Sequence, residues 1–214
     1  MSEINRFARQ SGAAGQSAAC GRNGGQGRAT EVAMSKLLVV GALGLVGRAV
    51  VERFAGRADV PVIGLARRRA DFAPGATWVQ ADLQDAAATR AALAQHAAGI
   101  THVVYAALNE QPGLVQGWRS AHNMALNTRM LAHLLAAIEG APLQHVTPLQ
   151  GTKAYGVHTG RAMRVPAREG DALRDHVNFY FDQQDLVKLA PPATASAGPC
   201  SARRSCWAWR WAAR

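Results

Sequence analysis

Two hydrophobic periods alternate along the middle of this chain. Leu37–Val40 (LLVV) is a short apolar run of the kind that forms a strand covered on both faces. Val46, Ala49, Val50 and Phe54 then recur at helical spacing. Val60–Ala66 (VPVIGLA) reads as a second strand, with Pro61 near its start, where a missing N–H does least harm. Thr77–Gln80 reads as a third strand. Asp85 is placed to cap a helix through Ala88–Ala97. Thr101–Ala107 (THVVYAA) reads as a fourth strand. Trp118–Gly140 predicts a long amphipathic helix, with Met130, Leu131, Leu134, Leu135 and Ile138 inward and Gly140 at its C-terminal stop. Leu143–Leu149 reads as a fifth strand, interrupted by Pro148. Strands alternating with helices in this way predict a doubly wound parallel sheet.

The first strand and helix are joined by three glycines, Gly41, Gly44 and Gly47. Strand, glycine turn and helix in that order is the setting a dinucleotide fingerprint needs. Gly41 would make the tight turn, Gly44 would let backbone approach a pyrophosphate, and Gly47 would let helix and strand pack closely. The helix start offers N–H groups and a positive dipole end to phosphates. A glycine-rich turn without a ligand is the alternative. The G-x-x-G-x-x-G spacing is similar to that of extended short-chain dehydrogenases. The fold class expected is therefore α/β, a Rossmann-type doubly wound parallel sheet; that it is incomplete at its C-terminal side is implied only by the family resemblance of the later motifs.

Arg67, Arg68 and Arg69 follow the second strand. In a dinucleotide domain this point lies beside the adenosine ribose. An acid there suits NAD, whereas arginines suit the 2′-phosphate of NADP. A solvated basic turn is the bland reading. Asp82, after the third strand, could meet the adenine edge or merely open a turn. Asn127 could brace a site from within the long helix or be an ordinary polar position. His96, His102, His122, His133 and His145 show no metal-ligand spacing.

Charge and cysteine usage narrow the class. The formal charge of +10 on 214 residues is partly in the ends, net +2 in 1–33 and +4 in 191–214, leaving +4 between. No basic helix face stands out, which argues against nucleic acid. All three cysteines, Cys20, Cys200 and Cys206, lie in those ends. The middle has neither a disulfide frame nor a cysteine-based zinc site, and it reads as cytoplasmic. No apolar run approaches the roughly 20 residues of a membrane span.

Residues 1–33 are rich in Ser, Gly, Ala and Arg without a hydrophobic period, and they read as a disordered extension, with Met34 resembling a natural start. Residues 34–190 read as the NADP-binding domain and 191–214 as an irregular tail. That tail carries Trp207, Trp209 and Trp211 among arginines, with no acid. Tryptophan has the single codon TGG. One nucleotide back, with GC-rich codons, Ala197–Ala212 re-reads as WTVLRPQVVLGLALG, a strand followed by a loop. The tail is therefore expected to be out of frame.

Beyond the fifth strand stands Gln150-Gly-Thr-Lys-Ala-Tyr155, and later Asn178-Phe-Tyr-Phe181 followed by Asp182-Gln-Gln-Asp185. The chain has no Tyr-x-x-x-Lys pair: Thr159 and Gln184 stand four residues after Tyr155 and Tyr180. Lys36–Leu189 resembles the progesterone 5β-reductase and iridoid synthase-like enzymes, an atypical short-chain dehydrogenase group. The marks are GALGLVG, GLARR, THVVYAAL, QGTKAYG and NFYFDQQD. The resemblance implies Lys153 and Tyr180 as the catalytic pair. It implies NADP(H) bound by Gly41, Gly44, Leu45, Val46, Gly47, Arg67, Arg68, Asp82, Leu83 and Ala107. It implies hydride transfer to the β-carbon of an enone or enal. It allows a homodimer. Phe181 replaces the family's second tyrosine, Leu43 replaces a loop threonine, and Ala107-Leu108 replaces Thr-Trp. A family member continues with a sixth strand and a substrate-covering part, so this chain is expected to be an inactive fragment. The alternative is an NADP-binding sensor or scaffold without turnover.

Overall fold

The computed structural model describes residues 35–111, 117 and 120–190. The expected extension at 1–33, Met34, Trp118 and the tail from 191 lie outside the described residues.

Five parallel strands form one sheet, β1 (Leu37–Val40), β2 (Val62–Ala66), β3 (Thr77–Gln80), β4 (His102–Tyr105) and β5 (His145–Pro148), in the order β3-β2-β1-β4-β5. Among the described residues four α-helices accompany them: α1 (Leu45–Phe54), α2 (Ala86–Leu93), α3 (Ala121–Ala137) and α4 (Phe179–Leu189). This is the Rossmann-type fold expected. Register is regular, with Leu37 level with Val62 on one side and His102 on the other.

Every residue of β1 is buried because both faces are covered. Leu37 and Val39 point to the layer of α1, with Val51, Val62, Phe54 and Trp78. Leu38 and Val40 point to the larger layer, with Leu93 from α2, Leu131 and Leu134 from α3, and Leu186 and Val187 from α4. Gly64 of β2 is bare because a Cβ there would stand 2.5 Å from the Trp78 ring.

Capping sets the helix starts. Asp85 accepts from the Ala88 amide at 2.9 Å, as its placement predicted, but the helix it starts is Ala86–Leu93 and Ala97–Gly99 is a separate 3₁₀ turn. Ser120 accepts from the Asn123 amide and caps α3, which begins at Ala121. It ends at Ala137, with Gly140 left-handed at φ +82 beyond it. The strands are shorter than their apolar runs, since Val60, Pro61, Thr101, Ala106 and Ala107 fall outside the ladders. Pro148 closes β5. The Leu149 amide beyond it donates to Tyr105, so the missing N–H of Pro148 faces away from β4 and no ladder bond is lost.

After β3 the chain crosses back to place β4 beside β1. The topological switch point therefore lies between β1 and β4, and their C-terminal ends open into a crevice.

Candidate functional site

Gly41 has φ +77, and a Cβ on it would meet the Ala107 nitrogen at 2.7 Å and the Ala106 carbonyl at 2.8 Å. Only glycine lets the β1 turn lie this close to the end of β4. Gly47 is buried, and its Cβ would stand 2.3 Å from the Gly41 carbonyl oxygen. Gly44 is the N-cap of α1 at φ −76, a conformation open to any residue, and no side chain caps the helix. The first turn carries no acid. Its amides are thus left for solvent or a ligand, at the positive end of the helix dipole.

A cleft of about 580 Å³ runs along the C-terminal ends of β1, β2, β3 and β4. Of the positions expected at a cofactor, Gly41, Gly44, Leu45, Arg67, Arg68, Asp82, Leu83 and Ala107 line it. Leu45 is 91% exposed on the first turn of α1. Val46 and Gly47 do not line the cleft; Gly47 lies beneath the turn. Asp82 does both things considered for it. Its Oδ1 accepts from the Gln84 amide at 3.0 Å, opening a turn, and it stands on the cleft wall. A second cleft, lined by Arg48, Arg68, Arg69 and Phe72 among others, adjoins at Arg68.

The rim beyond β4 was not predicted. Asn109 and Glu110 line the first cleft. Asn127 is fully buried. Its Oδ1 accepts from the Asn109 amide at 2.8 Å, and its Nδ2 donates to the Asn109 and Asn123 carbonyls at 3.0 and 2.9 Å. Gln183 of α4 donates to the Asn127 carbonyl at 3.0 Å. Of the two readings of Asn127, the bracing one fits this arrangement. A lone Asn on a helix gives no sequence signal of what it will meet across the fold.

Lys153 lies in a 3₁₀ turn, Thr152–Tyr155, directly after β5, and Tyr180 lies in the first turn of α4. Both stand at the strands' C-terminal end. The Gly151 position is 3.5 Å, at an ideal Cβ, from the Tyr180 hydroxyl. Burial pushes the Tyr180 phenol up, the Gly151 amide works against that rise, and the Glu110 charge adds to it. The net direction for the phenol is upward. Burial pushes the Lys153 ammonium down, opposed by Glu110. The Glu110 carboxylate on the cleft rim thus acts on both groups, although neither Tyr180 nor Lys153 lines the cleft itself.

Among the described residues no group of three or more His, Cys, Asp or Glu could hold a metal ion. His133 bonds the Leu83 carbonyl at 2.8 Å and is a structural tie. None of the described helices is long and apolar enough to cross a membrane.

Residues 37–179, more than half of the chain, match the NAD dependent epimerase/dehydratase family. The chain belongs to that family. No curated protein matches it. Among solved structures it is similar to the Bordetella bronchiseptica enzyme WbmH in complex with NAD+, with 19% identity and a TM-score of 0.55 over 73% of this chain and 52% of that one. It is similar to the UDP-Glc/GlcNAc 4-epimerase of Campylobacter jejuni, with 14% identity and a TM-score of 0.57 over 73% and 49%. A short-chain dehydrogenase/reductase superfamily protein of Agrobacterium tumefaciens with bound NAD gives 21%, 0.54, 72% and 43%. At these identities the likeness is one of fold. The chain spans about half the length of these proteins, from 43% to 52%. It thus has the fold of the family's NAD(P)-dependent oxidoreductases.

Proposed function

We propose that this chain binds NADP(H) in the cleft beyond β1, β2, β3 and β4 and serves the reduction of an enone or enal, as the resemblance to the progesterone 5β-reductase-like group implies. The carrying observation is that the turn of Lys153 and the first turn of the Tyr180 helix are joined through Asn178, with the Glu110 charge of the cleft rim acting on both groups, in a chain with no Tyr-x-x-x-Lys pair.

The residues fit the cofactor. Gly41, Gly44, Leu45, Val46 and Gly47 form a turn with a bare cap and no acid, which suits a pyrophosphate. Arg67 and Arg68 are exposed on the cleft wall where a 2′-phosphate would lie. Asp82 and Leu83 take the adenine side, and Ala107 the side toward the nicotinamide. Bound NADPH would supply a hydride to the substrate's β-carbon. The residues then have to manage negative charge growing on the substrate's carbonyl oxygen. A phenol held protonated, as burial and Glu110 hold Tyr180, donates a hydrogen bond there and stabilises that charge most in the transition state. Lys153 adds a positive charge beside it. The family's NAD-binding structures keep NAD as the competing cofactor, and the arginines are what favour NADP.

Binding without turnover is the second reading. It is favoured by a cleft lined by the cofactor positions but not by Tyr180 or Lys153. Titration of NADPH fluorescence tests binding. Enone-dependent loss of NADPH absorbance tests turnover. Tyr180→Phe is expected to lower kcat strongly and leave NADPH affinity nearly unchanged. Parent-rate turnover in that variant would make Tyr180 structural. Binding without any enone-dependent oxidation would leave the sensor reading.

A further inference from the structure

We propose that Asn178 is a positioning residue whose one buried amide holds the Lys153 turn against the start of the Tyr180 helix. The inference rests on the Tyr180 and Lys153 reading above.

Asn178 is 3% exposed and is the N-cap of α4. Its Oδ1 accepts the Tyr180 backbone amide at 3.1 Å. Its Nδ2 donates to the Lys153 carbonyl at 2.9 Å. The amide's orientation follows from its partners, an N–H on one side and a C=O on the other. A cap needs only the acceptor, and Asp or Ser would supply it as well. The donor is therefore what distinguishes asparagine here, and it reaches the backbone of the other catalytic element. The segment between, 156–177, holds only short 3₁₀ turns and loop, so regular structure does not couple the two.

Neighbouring groups complete a bracket around the same joint. His176 Nε2 lies 3.1 Å from the Lys153 carbonyl. Gln150 Nε2 donates to the Tyr180 carbonyl at 3.0 Å, and Gln184 Nε2 donates to Gln150 Oε1 at 3.1 Å. Asn178 alone bonds the backbone of both Lys153 and Tyr180 among these groups. Misplacement of reacting groups by about 1 Å can cost on the order of 100-fold in rate.

The test compares Asn178→Asp and Asn178→Ser with the parent in the full chain. Both keep a cap acceptor for Tyr180. Asp has no donor, and Ser carries its single O–H on the short arm that accepts from Tyr180, so neither reproduces the two-armed reach of Asn178 to the Lys153 carbonyl. The chain has three lysines, Lys36, Lys153 and Lys188, so ¹³C-methylated lysines can be titrated and assigned by NMR. The expected result is near-parent thermal stability in Asn178→Ser, which adds no charge, with its Lys153 titration moved toward the ordinary lysine range and Lys36 and Lys188 unmoved. Asn178→Asp, whose carboxylate raises a nearby lysine by charge alone, is read only for turnover and stability. Where an enone is turned over, kcat falls roughly 10- to 100-fold with the KM for NADPH within about twofold. An unmoved Lys153 titration, with turnover at the parent rate wherever turnover is seen, overturns the proposal and leaves Asn178 a helix cap. Loss of stability in both variants with an unmoved Lys153 does the same. Parent-rate turnover in Tyr180→Phe would instead sink the underlying catalytic reading, whatever the lysine does. The titration needs neither substrate nor cofactor, so it decides even where nothing is turned over.

Discussion

Replacing Gly47 with alanine sets two effects against each other. Alanine inside a helix is favoured over glycine by about 1 kcal/mol. Against that, a Cβ at Gly47 would stand 2.3 Å from the Gly41 oxygen, 2.9 Å from the Gly41 carbonyl carbon and 3.0 Å from the Ala42 Cα. The closest approach is roughly 1 Å inside ordinary contact. All three atoms are backbone, so no rotamer change relieves the clash. Either α1 moves out, loosening the buried Val51 from its layer, or the turn moves toward the cleft. Overpacking of this kind costs about 1–3 kcal/mol, and rigid partners put it at the upper end. Net destabilisation of about 2 kcal/mol is expected, or a Tm lower by roughly 4–8 °C in a domain this size. Gly44→Ala is the control. Its φ of −76 suits alanine and its Cβ would meet only the Gly41 oxygen, at 3.3 Å. Its Tm should fall by less, while NADPH affinity falls in both variants if the turn holds the pyrophosphate. Circular dichroism melting and NADPH fluorescence titration measure the two quantities. A Gly47→Ala protein with a Tm at or above the parent value would refute the packing argument.

Other consequences can be checked separately. Arg67→Ala with Arg68→Ala should remove a preference for NADPH over NADH worth about 1.5–3 kcal/mol; an unchanged preference in paired titrations would end the 2′-phosphate assignment. His102 is held below its ordinary pKa by burial, with the His145 charge adding to this. The unfolded chain therefore takes up the proton first, so stability is whole above about pH 6.5 and is lost as pH falls through the folded value. In His102→Gln the drop in urea midpoint between about pH 7.5 and 5.5 should shrink, and an identical drop would show that His102 plays no part. Asn127→Leu leaves the Asn109 amide and carbonyl without their partner, and should cost about 2–4 kcal/mol in urea unfolding; a loss under 1 kcal/mol would mean the rim is held by something else.

Much of this fold follows from local chemistry, which a sequence carries openly. The four apolar residues of Leu37–Val40 can be satisfied only by a strand with both faces covered, and the ladder confirms them residue for residue. Asp85 caps where it stands because a cap depends on the next three residues alone. Glycine spacing announced the turn, although the roles separate only in three dimensions. Gly41 is demanded by the backbone of Ala106 and Ala107 across the fold and Gly47 by the backbone of Gly41 and Ala42 in its own turn, whereas Gly44 is not constrained by its φ. Element ends were less legible. The apolar run Thr101–Ala107 outlasts its strand because Ala106 and Ala107 stay apolar while turning into the crevice wall.

The site's coupling was not legible at all. Tyr180 and Lys153 could be named as residues, but no spacing in the chain indicates that Asn178 bonds the backbone of both, or that Glu110 lies within reach of their charges. Asn127 looks like any polar helix position until the β4 loop closes over it. The direction of the Tyr180 shift was not legible for the same reason. Burial depends on everything packed around a group, and here it outweighs the opposing bond from the Gly151 amide. Sequence determines periods, caps and turns because these are set within a few neighbouring residues. Partners brought together by the crossover from β3 to β4, and the desolvation they cause, are decided only when the sheet has closed.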